Sequence, residues 1–376
     1  MGETPTIFMT AADVSGDVHA ARLIGALRDR LGEVRFVGLG GERMAAAGCE
    51  LLEDPVRRSS MLTGAFGQVF YYIGLIRRTA RAMSEAAPAV HVPVDSPALN
   101  WHLAAAARRR GVPVAYYIAP QVWAWAPWRV RKLRRLTDAV GCILPFEETY
   151  LRRRGVNARY VGHPLFDDLP TPAPLDLSAA ASGQWRIALL PGSREAEIIG
   201  HAPALAEVSD RLRETFPDAE LTFTARDDAS ADRIRRSTGR DDVPICVGDA
   251  AEVFAQSHFA VAASGTVTLE AAWFGVPMVI FYRASRLLHR LLHPLVIRTR
   301  RLSLVNILAG EDLVPELMPW SGNVGALAEA CLGMLSDPDR LARTRRRLLD
   351  LVAPLRVSPP ASAAGNAADL IVDTMR

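Results

Sequence analysis

A carboxylate at the end of an apolar run is the first candidate for chemistry in this 376-residue chain. In D-S-P-A-L-N, Asp95–Asn100, the acid follows the strand-like run Val90–Val94. At the C-terminal end of a parallel strand it faces a ligand crevice, where it can take a proton from a hydroxyl. The same residues suit a helix start with Pro97 in the first turn, and the bare pattern favours that capping role. Ala11–His19, A-A-D-V-S-G-D-V-H, follows another apolar run. Gly16 permits a tight turn, and Ser15 or Asp17 can cap the helix that follows. The segment reads either as a loop bordering the crevice or as a plain capped turn.

Two further loops suit anions. In L-P-G-S-R-E-A-E-I, Leu190–Ile198, Gly192 and Ser193 form a turn, and Arg194 stands at a helix start whose N–H groups favour negative charge. In A-S-G-T-V-T-L-E, Ala263–Glu270, the residues Ser264, Gly265 and Thr266 offer N–H and hydroxyl donors to a phosphate. Glu270, one helical turn on, has the spacing to meet ribose hydroxyls. Of the 44 lysines and arginines only Lys132 is a lysine, so a phosphate loop built on G-K-[ST] is excluded. Phosphate recognition falls to arginine and backbone N–H groups. His163, in V-G-H-P-L, is placed to line the crevice. His289 and His293 are spaced i, i+4 without a third ligand, and no metal or cofactor is expected.

The elements that must position these residues alternate between strand and helix. Apolar runs at Thr6–Thr10, Arg35–Gly38, Val90–Val94, Val114–Ile118 and Ala139–Leu144 are separated by helical patterns, the first over His19–Leu31. A second series runs from Arg186–Leu190 to Pro277–Phe281, and a terminal helix is expected over Ala367–Met375. This predicts an α/β fold of two doubly wound Rossmann-like domains facing a central cleft. The expected boundaries are residues 1–170, a Pro/Ala/Ser-rich linker at 171–184, a second domain at 185–350, and a tail with its helix at 351–376, packing on the first domain or a partner subunit.

Composition narrows the class. Hydrophobic residues are 49% and charged residues 23%, a globular balance, and the net charge of +3 is too small to argue for nucleic acid. Four scattered cysteines fit a reducing compartment. No apolar run reaches the roughly 20 residues that span a bilayer. Two segments nevertheless look membrane-facing: Met61–Arg78, with Phe66, Val69, Phe70, Ile73 and Ile76 near one helical face, and Leu287–Arg301, leucines with a basic rim. Core packing is the alternative for either. Trp123, Trp125 and Trp128 add amphipathic aromatics.

Read in order, the motifs resemble the lipid-A-disaccharide synthases over roughly residues 6–350. Those already quoted are joined by G-L-G-G-E-R-M (Gly38–Met44), Y-Y-I-A-P-Q-V-W-A-W (Tyr116–Trp125), I-L-P-F-E (Ile143–Glu147), S-L-V-N-I-L-A-G and L-V-P-E-L (within Ser303–Leu317). The resemblance implies a metal-independent GT-B glycosyltransferase that joins UDP-2,3-diacylglucosamine to 2,3-diacylglucosamine 1-phosphate (lipid X) with inversion, releasing UDP. It implies Asp95 as general base, with Asp13, Ser15, Gly16, Asp17, Asn100 and His163 around the acceptor. On the donor side it implies Gly192, Ser193, Arg194, Ser264, Gly265, Thr266, Glu270, Asn306 and Glu316. It further implies peripheral attachment to the cytoplasmic face of the inner membrane, and it allows a homodimer.

The chain departs from the pattern at Ala12 for Gly, Asp13 for Glu, Ala98 for Asp and Gln68 for Glu. These changes leave acyl-chain and acceptor specificity open. They also keep two alternatives in view: a related UDP-sugar transferase or epimerase, and a non-catalytic UDP-binding membrane scaffold.

Overall fold

The computed structural model describes residues 4–59, 65–124, 126–173, 183–248, 250–283, 301–358 and 360–375. The chain divides into two units, Met1–Asp168 with Leu355–Arg376, and Leu169–Pro354.

In the first unit, parallel strands β1 (Thr6–Thr10), β2 (Arg35–Leu39), β3 (Cys49–Glu53) and β4 (Val90–Pro93) lie in the order β3-β2-β1-β4. β5 (Ala115–Tyr117), β6 (Ala139–Cys142) and β7 (Ala158–Tyr160) form a second parallel group. Parallel bridges His91↔Val114 and Val94↔Tyr117 join β4 to β5. The strand order therefore reverses between β1 and β4, which opens a crevice outside the C-terminal ends of those two strands. β3 has no counterpart in the sequence reading. Its C-E-L-L-E pattern carries charge on an edge strand, and that masks the apolar signal.

Helices cover both faces of this sheet. On one, α1 (Val14–Leu31) and the C-terminal Ala363–Met375 helix pack over Ile7, Met9, Phe36 and Val92. On the other face, α4 (Ala65–Ala86), α5 (Pro97–Arg108) and α6 (Val130–Leu136) place Met83, Trp101, Ala104 and Leu133 with Phe8, Tyr116 and Val140. Short helices α2 (Glu42–Ala46), α3 (Pro55–Ser59) and α7 (Pro145–Arg152) complete the unit. Leu23, Ile24 and Leu27 of α1 are fully buried, each worth about 1.5–3 kcal/mol.

Two helix starts precede those read from periodicity, because side chains cap them. Asp13 accepts the Gly16 N–H at 2.7 Å, so α1 begins at Val14. Asp167, distant in sequence, accepts the Ala363 N–H at 3.0 Å, so the C-terminal helix starts at Ala363. Two of the sequence motifs also meet: the Trp123 indole N–H donates to Glu147 Oε1 at 2.7 Å, while Oε2 accepts the Ile143 and Leu144 N–H groups. Burial pushes the Glu147 carboxyl up to about 7.

In the second unit β8 (Arg186–Leu190), β9 (Glu220–Ala225), β10 (Ile245–Val247), β11 (Phe259–Ala263), β12 (Met278–Arg283) and β13 (Glu316–Trp320) form one six-stranded parallel sheet. Their order, β10-β9-β8-β11-β12-β13, reverses between β8 and β11. β13, E-L-M-P-W, lacks alternation and carries Pro319, which an edge strand tolerates. The helices are α8 (Glu195–Thr215), α9 (Asp228–Thr238), α10 (Ala250–Gln256), α11 (Val267–Trp273), α12 (Leu304–Ala309), α13 (Val324–Leu335) and α14 (Pro338–Val352), with the Ala363–Met375 helix of the first unit becoming α15. Ile198 and Leu205 of α8 share a core with Leu327 of α13 and with Leu189, Phe223 and Phe281 of the sheet.

Candidate functional site

Asp95 stands one residue beyond the bridge that ends β4, at the reversal point of the first sheet. It and Ser96 both adopt the left-handed conformation, with φ of 47° and 45°, which costs non-glycine residues roughly 1–3 kcal/mol each. The Asp95 carbonyl compensates by accepting the Asn100 Nδ2–H at 2.8 Å and the Tyr116 hydroxyl at 2.7 Å. Burial and then the nearby Asp13 charge raise the Asp95 carboxyl to about 6, against the pull of the Ser96 N–H. A carboxylate poised there is ionised at neutral pH yet still a useful proton acceptor.

The β1 loop reaches the same place. The Ser96 hydroxyl donates to Asp13 Oδ2, and Ser96 Oγ accepts the Ala12 N–H at 3.0 Å. Asp13 Oδ1 accepts the Ser15 hydroxyl at 2.8 Å in addition to the Gly16 N–H. Gly16 is buried, and a Cβ there would stand 3.1 Å from Asp13 Oδ1.

Three residues expected around the acceptor have other partners in the structure. Asp17 is buried and accepts the Gly41, Arg43 and Met44 N–H groups at 2.8, 3.0 and 3.1 Å, anchoring α2. Asn100 is fully buried; Nδ2 donates to the Thr10, Val94 and Asp95 carbonyls, while Oδ1 accepts the Thr10 hydroxyl at 2.7 Å. His163 is buried edge-on to Phe166, with Nδ1 accepting the Leu165 N–H at 3.3 Å, and burial lowers it to about 4.

At the reversal point of the second sheet, Gly192 has φ of 105°, and a Cβ there would lie 2.6 Å from Glu197 Oε2. The Ser193 and Arg194 N–H groups, read as an anion seat, instead both donate to Glu197 Oε2 at 3.2 Å. Arg194 donates from Nη1 to Glu197 Oε1 at 2.6 Å, and its side chain is 79% exposed. After β11, the Ser264 N–H is taken by the Phe281 carbonyl at 3.0 Å, whereas Gly265 and Thr266 are exposed. Glu270 follows, half-buried, on α11.

Asn306 and Glu316 form a network rather than an open lining. Glu316 accepts the Leu302 and Ser303 N–H groups and the Ser303 hydroxyl, the last at 2.7 Å. Asn306, fully buried, donates to Glu316 Oε2 at 3.1 Å and exchanges two hydrogen bonds with Val314. A polar cavity of about 210 Å³, lined by Arg186, Glu220, Cys246 and Glu252, lies at the N-terminal edge of this sheet and contains none of the candidate residues.

The α4 stripe is split. Phe70 is 74% and Ile73 42% exposed, but Ile76 packs with Leu39, Leu75 and Leu99, because ten residues from Phe66 carry it about 80° around a helix. The side chains of Phe66 and Val69 lie outside the described residues, as do Gln68, Trp125, His289, His293 and residues 284–300 of the second apolar segment. Among the described residues no helix is long and apolar enough to cross a membrane.

Sequence reading missed Ser96, Tyr116, Thr10 and Glu197. Ser96 sat inside a quoted motif, and Glu197 is the third residue after Arg194 in the capping-box position. Tyr116 read as a strand residue opening a quoted motif, and Thr10 as a strand residue, neither with a role at the site.

The sequence profile described as lipid-A-disaccharide synthetase matches residues 7–357. The chain belongs to that family. It is 39% identical over 336 residues to the lipid-A-disaccharide synthase of Myxococcus xanthus, covering 88% of each chain. Among solved structures it resembles the S. aureus MnaA–UDP co-structure, with a TM-score of 0.61 at 14% identity, covering 98% of this chain and 95% of that one. It also resembles Acinetobacter baumannii MurG, with a TM-score of 0.57 at 14% identity, covering 98% and 99%. The fold that a lipid-A-disaccharide synthetase uses here is thus that of GT-B enzymes, and the departures at Ala12, Asp13, Ala98 and Gln68 are variations within the family.

Proposed function

We propose that the chain condenses UDP-2,3-diacylglucosamine with 2,3-diacylglucosamine 1-phosphate to give a tetraacyl disaccharide 1-phosphate and UDP, with inversion at the anomeric carbon. The observation that carries the reading is Asp95: the family's candidate base stands at the sheet reversal point with its carboxyl raised to about 6. An acceptor hydroxyl gives its proton to Asp95 as its oxygen bonds to the anomeric carbon. The bond from that carbon to the diphosphate oxygen breaks with its electron pair, and UDP departs.

The departing charge needs donors where it develops. Arg194 supplies exposed guanidinium N–H groups, and Gly265 and Thr266 supply backbone N–H groups. Glu270 holds the ribose, while Asn306 and Glu316 shape the segment before α12. Ser15 and the Asp13–Ser96 pair border the acceptor. Phe70 and Ile73 rest on the cytoplasmic face of the inner membrane, from which both acylated substrates come. A homodimer is compatible with this reading.

The test is UDP release from UDP-2,3-diacylglucosamine in detergent, with and without lipid X, for wild type and Asp95→Asn. Release that requires lipid X and falls by 10²–10⁴ in the variant is expected. UDP binding without lipid-X-dependent release would assign the chain to another acceptor or to a scaffold. Interconversion of the donor sugar without transfer would make it an epimerase.

A further inference from the structure

The left-handed pair at Asp95 and Ser96 persists only because its surroundings over-determine it. The bonds that do so form a directed relay. The single hydroxyl hydrogen of Thr10 goes to Asn100 Oδ1 at 2.7 Å. Thr10 Oγ1 is therefore the acceptor in its 3.0 Å contact with His91 Nε2, and His91 carries its proton there. Among the described residues His91 Nδ1 is buried without a partner, as a bare ring nitrogen would be, and burial lowers the ring's pKa to about 3 and holds it neutral. With its oxygen so engaged, the Asn100 amide has one orientation, and Nδ2 faces the Thr10, Val94 and Asp95 carbonyls. Tyr116, reaching from β5, donates the second hydrogen bond to the Asp95 carbonyl. Burial keeps that phenol protonated. His91, Thr10, Asn100 and Tyr116 are all essentially inaccessible, so none is left to touch a ligand.

We infer that Tyr116 and Asn100 are positioning residues for Asp95: clamping its carbonyl from two sides, they hold the main chain in the turn that sets its carboxylate beside Asp13. The inference rests on Asp95 acting as the base. It gives a defined role to two buried polar side chains, and it explains why Asn100 follows Asp95 by one helical turn plus the left-handed residue. Without the clamp, Asp95 and Ser96 relax toward ordinary backbone conformations, and the carboxylate shifts by the order of an ångström. Displacements of that size cost up to about a hundredfold in rate.

Tyr116→Phe removes one hydroxyl and no volume. Steady-state kinetics in detergent, with both substrates varied and with kcat measured against pH, are expected to show kcat reduced about ten- to hundredfold. KM for donor and acceptor stays within about twofold. The acid limb of kcat moves below its wild-type position, because a loosened carboxylate is better solvated. Thr10→Val, which leaves the Asn100 amide unoriented, is expected to act in the same sense, and Thr10→Ser to restore wild-type rate and limb. Normal kcat and an unmoved limb in both Tyr116→Phe and Thr10→Val overturn the inference while leaving Asp95 as base. Full activity in Asp95→Asn overturns the base assignment and the inference with it. If Tyr116→Phe does not fold, the Thr10→Val and Thr10→Ser pair decides.

Discussion

Ser96 gives its hydroxyl hydrogen to Asp13 across 83 positions of sequence, tying the loop after β1 to the loop after β4. This bond closes the reversal point of the first sheet and sets two carboxylates side by side. Asp13 takes hydrogen bonds from Ser96, Ser15 and Gly16. At Asp95 burial and the Asp13 charge outweigh the hydrogen bond from the Ser96 N–H and raise its proton affinity.

The pH dependence follows. A base works only when deprotonated, so kcat falls as pH drops through about 6, the value to which burial and Asp13 raise Asp95. Asp13→Asn removes the neighbouring charge, and the acid limb moves to lower pH. A limb that stays in place or rises would separate the two carboxylates functionally.

Arg194 is expected to matter for rate and little for stability. Its pair with Glu197 is exposed on the arginine side, and such pairs contribute about 0–1 kcal/mol. Arg194→Ala should leave the thermal midpoint nearly unchanged. Its kcat/KM for the UDP-sugar should fall by about 10²–10³ through lost stabilisation of the leaving diphosphate. Near-normal kcat/KM would transfer that role to the loop after β11.

Asp17 predicts the reverse. Its buried carboxylate satisfies three N–H groups at the start of α2. Asp17→Ala leaves those donors bare, at a cost of about 2–4 kcal/mol read from urea melts. The melt midpoint should fall more than for any substitution at Arg194, with KM for both substrates unmoved in whatever fraction remains folded.

Phe70 and Ile73 test membrane attachment. Replacing both with serine removes exposed apolar surface from α4 without opening a core. Co-sedimentation with phosphatidylethanolamine–phosphatidylglycerol vesicles should drop severalfold, with detergent activity retained. Unchanged sedimentation would place the contact elsewhere.

These predictions divide along the line between what was legible in the sequence and what was not. The strand-then-loop signature located Asp95, Arg194 and Thr266 at strand ends, because buried parallel strands read as continuous apolar runs. The roles of Asp17, Asn100 and Asn306 were not legible. An Asp or Asn beside a turn looks the same whether it faces a ligand or satisfies backbone groups from a distant loop, and only the fold brings Gly41 to Asp17 or Thr10 to Asn100. The edge strands β3 and β13 escaped for a related reason: half-exposed edges carry charge or proline and lose the apolar run. Tyr116 read as one aromatic among the strand residues of β5, since nothing local marks which tyrosine will meet a strained carbonyl.

The return of Leu355–Arg376 to the first unit makes the second an insertion. The segment 169–354 is one uninterrupted stretch and can be produced as a separate polypeptide. The first unit cannot be cut out that way, because its α1 face is closed by α15 from the other end of the chain. The two seams of the insertion lie near each other in that unit, where the His163 N–H meets the Leu355 carbonyl at 3.0 Å. A short bridge from Asp168 to Leu355 would therefore close the first unit into one continuous chain without the second.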